Sequence, residues 1–323
     1  MKRELPKIGF GGAPIGGLLD AVDDAAAIQT IQSALDSGIT YYDTAPYYGF
    51  GLSERRVGDA VRDHDNIVVS SKVGRLLKPG LPLNPADYGW PKPLPFHPIF
   101  DYGYDAVMRS YEDSLQRMGR DRINVLFLHD LGPLTHPNAE EEARHFKDAM
   151  SGGYRALDEL RRAGDIDGFG IGVNEIEVSL RTLDHGDWDV FLLAGRYTLL
   201  EQEAQAELLP ACAARAVRIV VGGPFNSGIL VGGSTWNYEA APKDIQQRVA
   251  GLKAVCESHG VPLPAAALKF PLANPVVASV IPGSRTPAEF AQLMEWWNTD
   301  IPTSLWSDLQ TQGFIREDAP LPV

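Results

Sequence analysis

Four residues in the first half of the chain have side chains suited to moving a proton: Asp43, Tyr48, Lys72 and His129. Three of them end short apolar runs, Asp43 closing Thr40–Asp43, Lys72 closing Ile67–Lys72 and His129 closing Asn124–His129. Tyr48 follows on the connection after Asp43. Taken singly, each has a structural explanation: Asp43 as a cap, Lys72 reaching solvent on its long stem, His129 as a satisfied polar group at a core edge, and Tyr48 as one aromatic beside Tyr41, Tyr42 and Tyr47. Taken together they form an acid–base set. A buried lysine beside an aspartate stays protonated, and a protonated lysine beside a phenol is expected to lower its pKa from about 10 toward the working range. A phenol tuned in that way is a general acid or base. His129, neutral or hydrogen-bonded, would donate to the reacting oxygen. The other histidines, His64, His97, His136, His145, His185 and His259, lack ligand spacing, so no metal is expected.

Side chains from three separate runs meet only if the runs lie side by side. The periodicity supplies eight β-branched apolar runs, at Lys7–Gly11, Thr40–Asp43, Ile67–Lys72, Asn124–His129, Gly168–Val173, Val190–Leu193, Arg218–Gly222 and Val277–Ile281. Each is followed by a helical pattern: Asp23–Asp36, Ser53–Arg62, Tyr104–Met118, Tyr154–Arg162, Glu175–Leu183, Gln202–Ala214, Pro242–Ser258 and Pro287–Trp297. Eight β-then-α units predict a (β/α)8 barrel of the TIM type, one α/β domain over residues 1–323, whose strand ends share one pocket. An open doubly wound sheet would carry a Gly-rich phosphate loop, and Ile8-Gly9-Phe10-Gly11-Gly12 has the wrong spacing for one.

Two stretches interrupt the rhythm, 75–103 with its Pro, Gly and aromatic residues and the polar 130–153. Loops longer than roughly 12–15 residues tend to be binding loops or lids, and these would overhang the C-terminal face of the barrel. A helical tail is expected over Ser304–Gln312.

Composition narrows the partners. Of 323 residues, 29 are basic and 42 acidic, a formal charge of −13 that repels nucleic acid and anionic membrane surfaces. Neither is expected as a partner. Two cysteines, Cys212 and Cys256, without CxxC spacing suit a reducing, cytoplasmic setting. The N-terminal residues run straight into a strand, without the pattern of a secretory leader, and no stretch is long enough to span a bilayer. A monomer or small homo-oligomer acting on a small molecule is the expectation.

The run Asp43-Thr44-Ala45-Pro46-Tyr47-Tyr48-Gly49-Phe50-Gly51-Leu52-Ser53-Glu54 resembles the signature that carries the catalytic aspartate and tyrosine of aldo-keto reductases. Ser71-Lys72-Val73 resembles that family's lysine strand, Leu128-His129-Asp130 its histidine strand, and Ile281-Pro282-Gly283-Ser284-Arg285 its adenosine-binding segment. Val73-Gly74-Arg75, Phe100-Asp101-Tyr102, Gly172-Val173-Asn174-Glu175 and the run Gly195 to Leu200 look most like the branch containing L-fucose dehydrogenase, D-threo-aldose 1-dehydrogenase and pyridoxal 4-dehydrogenase.

The resemblance implies an NAD(P)-dependent oxidoreductase with Asp43, Tyr48, Lys72 and His129 as its catalytic set. It implies a nicotinamide amide at Asn174, a pyrophosphate along Pro224, Phe225, Asn226, Ser227 and Gly228, and an adenosine at Pro282, Gly283, Ser284, Arg285, Glu289 and Gln292, with Gly11 and Gly12 at the first strand end. Two positions depart from the family pattern: Ala194 stands where a glutamine is common, and Gly222 where an aromatic ring stacks on the nicotinamide, with Phe225 or Tyr197 as compensating rings. Gly283 and Glu289 stand where NADP-dependent members place cations, which favours NAD, while Arg285 leaves NADP open. The implied reaction is oxidation of the lactol carbon of an aldose such as L-fucose, L-galactose or D-arabinose. Trp90, Phe96, His129, Arg196 and Trp236 are the expected sugar contacts. Alternatives are a pyridoxal 4-dehydrogenase, an NADPH-dependent aldehyde reductase, a cofactor-binding regulatory subunit, and a Schiff-base lyase working through Lys72.

Overall fold

The computed structural model describes Met1 and residues 3–323. Eight parallel strands form the central sheet in chain order: β1 (Phe10–Gly11), β2 (Tyr41–Asp43), β3 (Val68–Val73), β4 (Val125–His129), β5 (Gly168–Val173), β6 (Val190–Ala194), β7 (Arg218–Gly222) and β8 (Val277–Ile281). The sheet closes on itself. Gly9 N donates to Val280 O at 2.9 Å, Val280 N to Lys7 O at 2.9 Å and Gly11 N to Pro282 O at 2.9 Å, joining β8 to β1. The fold is therefore the expected (β/α)8 barrel.

Both faces of these strands are covered, as their continuous apolar runs require. One face packs on the surrounding helices, and the other fills the barrel with Tyr41, Val68, Val125, Phe127, Val190, Leu192, Val220, Ala278 and Ile281. Side chains alternate along a strand, so the inward column that contains Tyr41 continues to Asp43, that of Val68 to Ser70 and Lys72, and that of Val125 and Phe127 to His129. The three polar residues are thus the top layer of the barrel filling. β5 contributes only glycines to the interior: a Cβ on Gly170 would lie 1.6 Å from Val190 O, and one on Gly172 3.6 Å from Lys72 Cε. A Cβ on Gly172 would be in ordinary contact with the lysine, while one on Gly170 would collide with the neighbouring strand.

Capping residues bound several of the helices. Asp23 accepts from Ala26 N ahead of Asp24–Asp36, Thr286 from Glu289 N ahead of Pro287–Asn298, and Gly119 and Gly164 close Tyr104–Met118 and Tyr154–Ala163 in the left-handed conformation. The tail is the helix Thr303–Thr311.

The two long interruptions are more ordered than expected. Residues 75–103 form an antiparallel hairpin, Arg75–Pro79 against Phe96–Phe100, with a 3-10 turn at Pro85–Tyr88. Within 130–153 lies a helix, Ala139–Asp148, which runs through a π-helical turn at Ala149–Gly153 into Tyr154–Ala163. Asn138 caps it, and Glu140, Glu141 and Glu142 sit in its first turn, where the helix dipole favours acidic side chains. Their polarity marks a helix start rather than a loop. A short helix at Leu263–Lys269 was not anticipated, and Gln202–Ala214 divides into a 3-10 turn at Glu203–Gln205 and a helix at Leu208–Ala214. No helix among the described residues is long and apolar enough to cross a membrane.

Candidate active site

Lys72 Nζ donates to Asp43 Oδ2 at 2.7 Å and to Thr44 O at 2.9 Å, and both side chains of the ion pair are buried. Ser70 Oγ donates to Asp43 Oδ1 at 2.6 Å, so both carboxylate oxygens are used. Tyr48 reaches this pair from the turn that leads into the helix Leu52–Val61, where Gly49, Phe50 and Gly51 all have positive φ. The turn is pressed against the first loop: a Cβ on Gly49 would lie 2.3 Å from Gly16 O. The Lys72 ammonium stands 4.5 Å from the centre of the Tyr48 ring, and the His129 ring meets that ring edge-on at 6.0 Å between centroids.

The electrostatics correct one expectation. Lys72 gives its protons to Asp43 and Thr44 and lies over the ring of Tyr48. Burial, reinforced by the Asp43 carboxylate, pushes the Tyr48 phenol well above its ordinary value, against a smaller pull from Arg75. Tyr48 is therefore a phenol here, not a phenolate. His129 is held well below the usual imidazole range by burial and by the Arg75 and Lys72 cations, which keeps it neutral.

Two charged residues that the sequence reading left out join this centre. Arg75 forms an ion pair with Asp130 Oδ2 and lies between two rings, 3.7 Å from the centre of Tyr47 and 4.9 Å from that of Phe100. Asp130 Oδ2 is 3.5 Å from His129 Nε2. A charged residue directly after His129, and a lone arginine two positions past the β3 end, were the available signals.

A cleft of two joined compartments opens over the centre. The larger, about 660 Å³, is lined by Gly11, Gly12, Gly222, Pro224, Phe225, Ser227 and Gly228 on one side and by Pro282, Gly283, Ser284, Arg285, Glu289 and Gln292 on the other. The smaller, about 360 Å³, contains Lys72, Trp90, His129, Asp130 and Asn174. Tyr48 and Tyr238 line both. Tyr238 was not anticipated. It lies at the tip of a short hairpin, Thr235–Trp236 against Glu239–Ala240, with φ of 50° at Asn237 and 65° at Tyr238.

Five expected contacts are not brought to the cleft. Arg196, Asn226 and Trp236 converge on Glu201: Arg196 Nη1 approaches Oε1 at 3.3 Å, Asn226 Nδ2 donates to Oε2 at 2.5 Å and Trp236 Nε1 to Oε2 at 3.2 Å. A half-buried carboxylate needs donors, and these supply them. Tyr197 is buried against Phe270 with its hydroxyl on Gln205 Oε1, and Phe96 is a hairpin rung opposite Pro79. Of the two rings expected to compensate for Gly222, Tyr197 does not line the cleft, whereas Phe225 lines the same compartment as Gly222.

The chain pairs a (β/α)8 barrel with a buried lysine–aspartate pair, a phenol and a neutral imidazole where the two compartments of a cleft join. The aldo/keto reductase family model matches residues 7–311, and the chain belongs to that family, an oxidoreductase family whose members bind nicotinamide cofactors. It is 42% identical to the pyridoxal 4-dehydrogenase of Microbacterium luteolum, over 95% of this chain and 94% of that protein. It is 38% identical to a D-threo-aldose 1-dehydrogenase of a Pseudomonas species, over 96% and 95%. Among solved structures, a glycerol dehydrogenase of Gluconobacter oxydans superposes with a TM-score of 0.72 at 20% identity, covering 100% of this chain and 95% of that one, a likeness of fold.

Proposed function

We propose that this protein oxidises the lactol carbon of a small cyclic substrate, an aldose such as L-fucose, L-galactose or D-arabinose, to the lactone with NAD. The observation that carries the reading is the meeting of Tyr48, His129 and the Lys72–Asp43 pair where the two compartments join. An anomeric carbon carries both a hydroxyl and a transferable hydrogen, so one oxidation gives the lactone. Pyridoxal closes to a hemiacetal of the same pattern, and the 42% identity to a pyridoxal 4-dehydrogenase favours it as the second substrate class.

The larger compartment suits a dinucleotide. Its volume is in the range of cofactor clefts, and its lining is mostly apolar, with Leu192, Phe225, Leu293 and Trp296 beside Gly and Pro residues and a few polar side chains. Ser227 and Gly228, at φ of 58° and 100°, would turn the chain around a pyrophosphate, with Gly283, Ser284 and Gln292 at the adenosine end. Asn174 Nδ2 donates to Ala194 O at 3.1 Å, which orients its amide in the smaller compartment, where it would meet the nicotinamide. When bound, the cofactor accepts the hydride. Arg285 faces two carboxylates, with its Nη1 2.7 Å from Asp20 Oδ2 and its Nε 3.4 Å from Glu289 Oε1. A guanidinium already engaged by two anions is a poor partner for a 2′-phosphate, and this supports NAD over NADP.

In oxidation, the ionised fraction of Tyr48 takes the hydroxyl proton and returns to the phenol, and His129 donates a hydrogen bond to the same oxygen to orient it. Lys72 and Asp43 hold the phenol's surroundings polar and fixed. In the reverse direction the phenol protonates the carbonyl oxygen. The test follows NADH or NADPH formation with L-fucose, L-galactose, D-arabinose and pyridoxal for wild type and Tyr48→Phe. Reduction of NAD that is lost in the variant is expected. Silence with all four substrates, with NADPH-dependent reduction of aldehydes instead, would replace this reading by a reductase.

A further inference from the structure

We propose that Asp130 is a substrate-positioning residue whose carboxylate, held by Arg75 beside His129, accepts a hydrogen bond from a hydroxyl on the carbon next to the reacting one. The proposal rests on the oxidoreductase reading of the cleft and narrows its substrates to 2-hydroxy carbonyl compounds and their lactols.

Asp130 is held in a conformation that L-residues seldom adopt. Its φ is 51°, and it is fixed from both sides, Asp130 N donating to Gly172 O at 3.0 Å and Tyr102 Oη donating to Asp130 O at 2.9 Å. The result places a carboxylate in the lining of the compartment that holds Lys72 and His129.

Burial raises the Asp130 carboxyl above its ordinary range, and Arg75 and Lys72 favour its charged form against that burial. Arg75 is 4% exposed, and Asp130 is its one ion-pair partner among the described residues. The Nε and Nη1 of Arg75 are buried without any hydrogen-bond partner. Burying a guanidinium with two nitrogens unpaired is unfavourable for stability, so a structural role alone accounts poorly for it. Holding an anion at the substrate pocket accounts for it better. Arg75 engages Oδ2, while Oδ1 makes no hydrogen bond within the described residues and is free for a ligand.

The position selects the chemistry. At 3.5 Å the approach of His129 Nε2 to Asp130 Oδ2 is too long to be a good hydrogen bond, so the imidazole remains available to the reacting oxygen. Oxygens on neighbouring carbons lie about one hydrogen-bond length apart. A substrate oxygen on His129 therefore brings its neighbour toward Asp130. The cations Lys72 and Arg75 disfavour an amine there, leaving a neutral hydroxyl as the donor to a carboxylate, one of the stronger hydrogen-bond types.

The experiment uses two matched pairs. Oxidation of D-arabinose is compared with that of 2-deoxy-D-ribose, its 2-deoxy counterpart, and reduction of lactaldehyde with that of propanal, for wild type, Asp130→Asn and Arg75→Lys. In the wild type the hydroxylated member is expected to have a kcat/KM about 10- to 100-fold higher, and in Asp130→Asn the ratio is expected to approach one. Arg75→Lys, which keeps a cation but loses the planar fork, is expected to lower the ratio part of the way, and it serves if Asp130→Asn does not fold. A wild-type ratio near one, a high ratio unchanged in the variants, or inertness toward all four compounds overturns the proposal. A lactaldehyde preference that depends on Asp130, with D-arabinose untouched, upholds it while the lactol reading fails. Oxidation of both pentoses at equal rates does the reverse.

Discussion

At the scale of single residues, the pH dependence of the two directions follows from the sign of one shift. Tyr48 must be a phenolate to take a proton, and burial raises its pKa, so the oxidative kcat/KM should climb with pH through the neutral and into the alkaline range. Reduction needs the phenol, which the same shift preserves, so its rate should stay level across neutral pH and fall only when the phenol ionises. A bell centred below pH 7 for oxidation would contradict this assignment. Tyr48→Phe should lower turnover about 10²- to 10⁴-fold, with cofactor affinity, read by quenching of tryptophan fluorescence, unchanged. Lys72→Met has a different signature. It strands a buried Asp43, and removing one partner of such a pair destabilises by about 3–5 kcal/mol, so the denaturant midpoint should fall together with activity.

At the scale of elements, the turn that presents Tyr48 is as important as the strands. Gly49 has φ of 63°, and any Cβ there would meet Gly16 O at 2.3 Å, so Gly49→Ala suffers both backbone strain and a clash with main chain. The strain alone is about 1–2 kcal/mol, and the displaced turn should cut turnover much more than it shifts the melting temperature. An alanine variant with wild-type kcat would show that the turn does not set the position of the phenol.

The eight strands and their order were legible because parallel barrel strands are buried on both faces and read as apolar runs. Asp43, Lys72 and His129 were legible because they interrupt those runs at their ends. What escaped was set by tertiary partners. Glu201 gathers Arg196, Asn226 and Trp236, and nothing in local sequence ties residue 201 to residue 236. Tyr238 sits in a two-residue hairpin turn with positive φ at both positions, where Asn-Gly would have announced the turn and Asn-Tyr does not. Asp130 and Arg75 were each visible as charges, but their pairing depends on a hairpin that the composition of 75–103 did not reveal.

At the scale of the whole molecule, the histidines buried near the cleft should make the fold sensitive to acid in a way that net charge does not explain. His136 and His145 stack with ring centroids 4.5 Å apart beside Tyr102 and Phe100, and both are buried. Burial lowers His136 to about 4, with His145 and Arg75 adding to the effect, and burial also lowers His145 and His129. Each folded-state pKa is below that of the unfolded chain, near 6.5, so the unfolded state binds more protons as pH falls through that value. The stability these groups contribute is present above pH 6.5 and is lost as pH drops toward about 4, by about 1.4 kcal/mol per pH unit for each histidine that titrates in the unfolded state alone. Net charge acts the other way over most of this range. The chain carries −13 at neutral pH and approaches neutrality near its pI of about 5.0, so self-repulsion weakens as acid is added. Urea midpoints measured from pH 7.5 down to pH 5 should therefore fall, and His136→Gln, which keeps a hydrogen-bonding side chain but cannot titrate, should flatten that fall by roughly 1–3 kcal/mol at the acid end. A His136→Gln variant whose midpoint changes with pH just as the wild type's does would show that burial of this imidazole is not what couples the fold to acid.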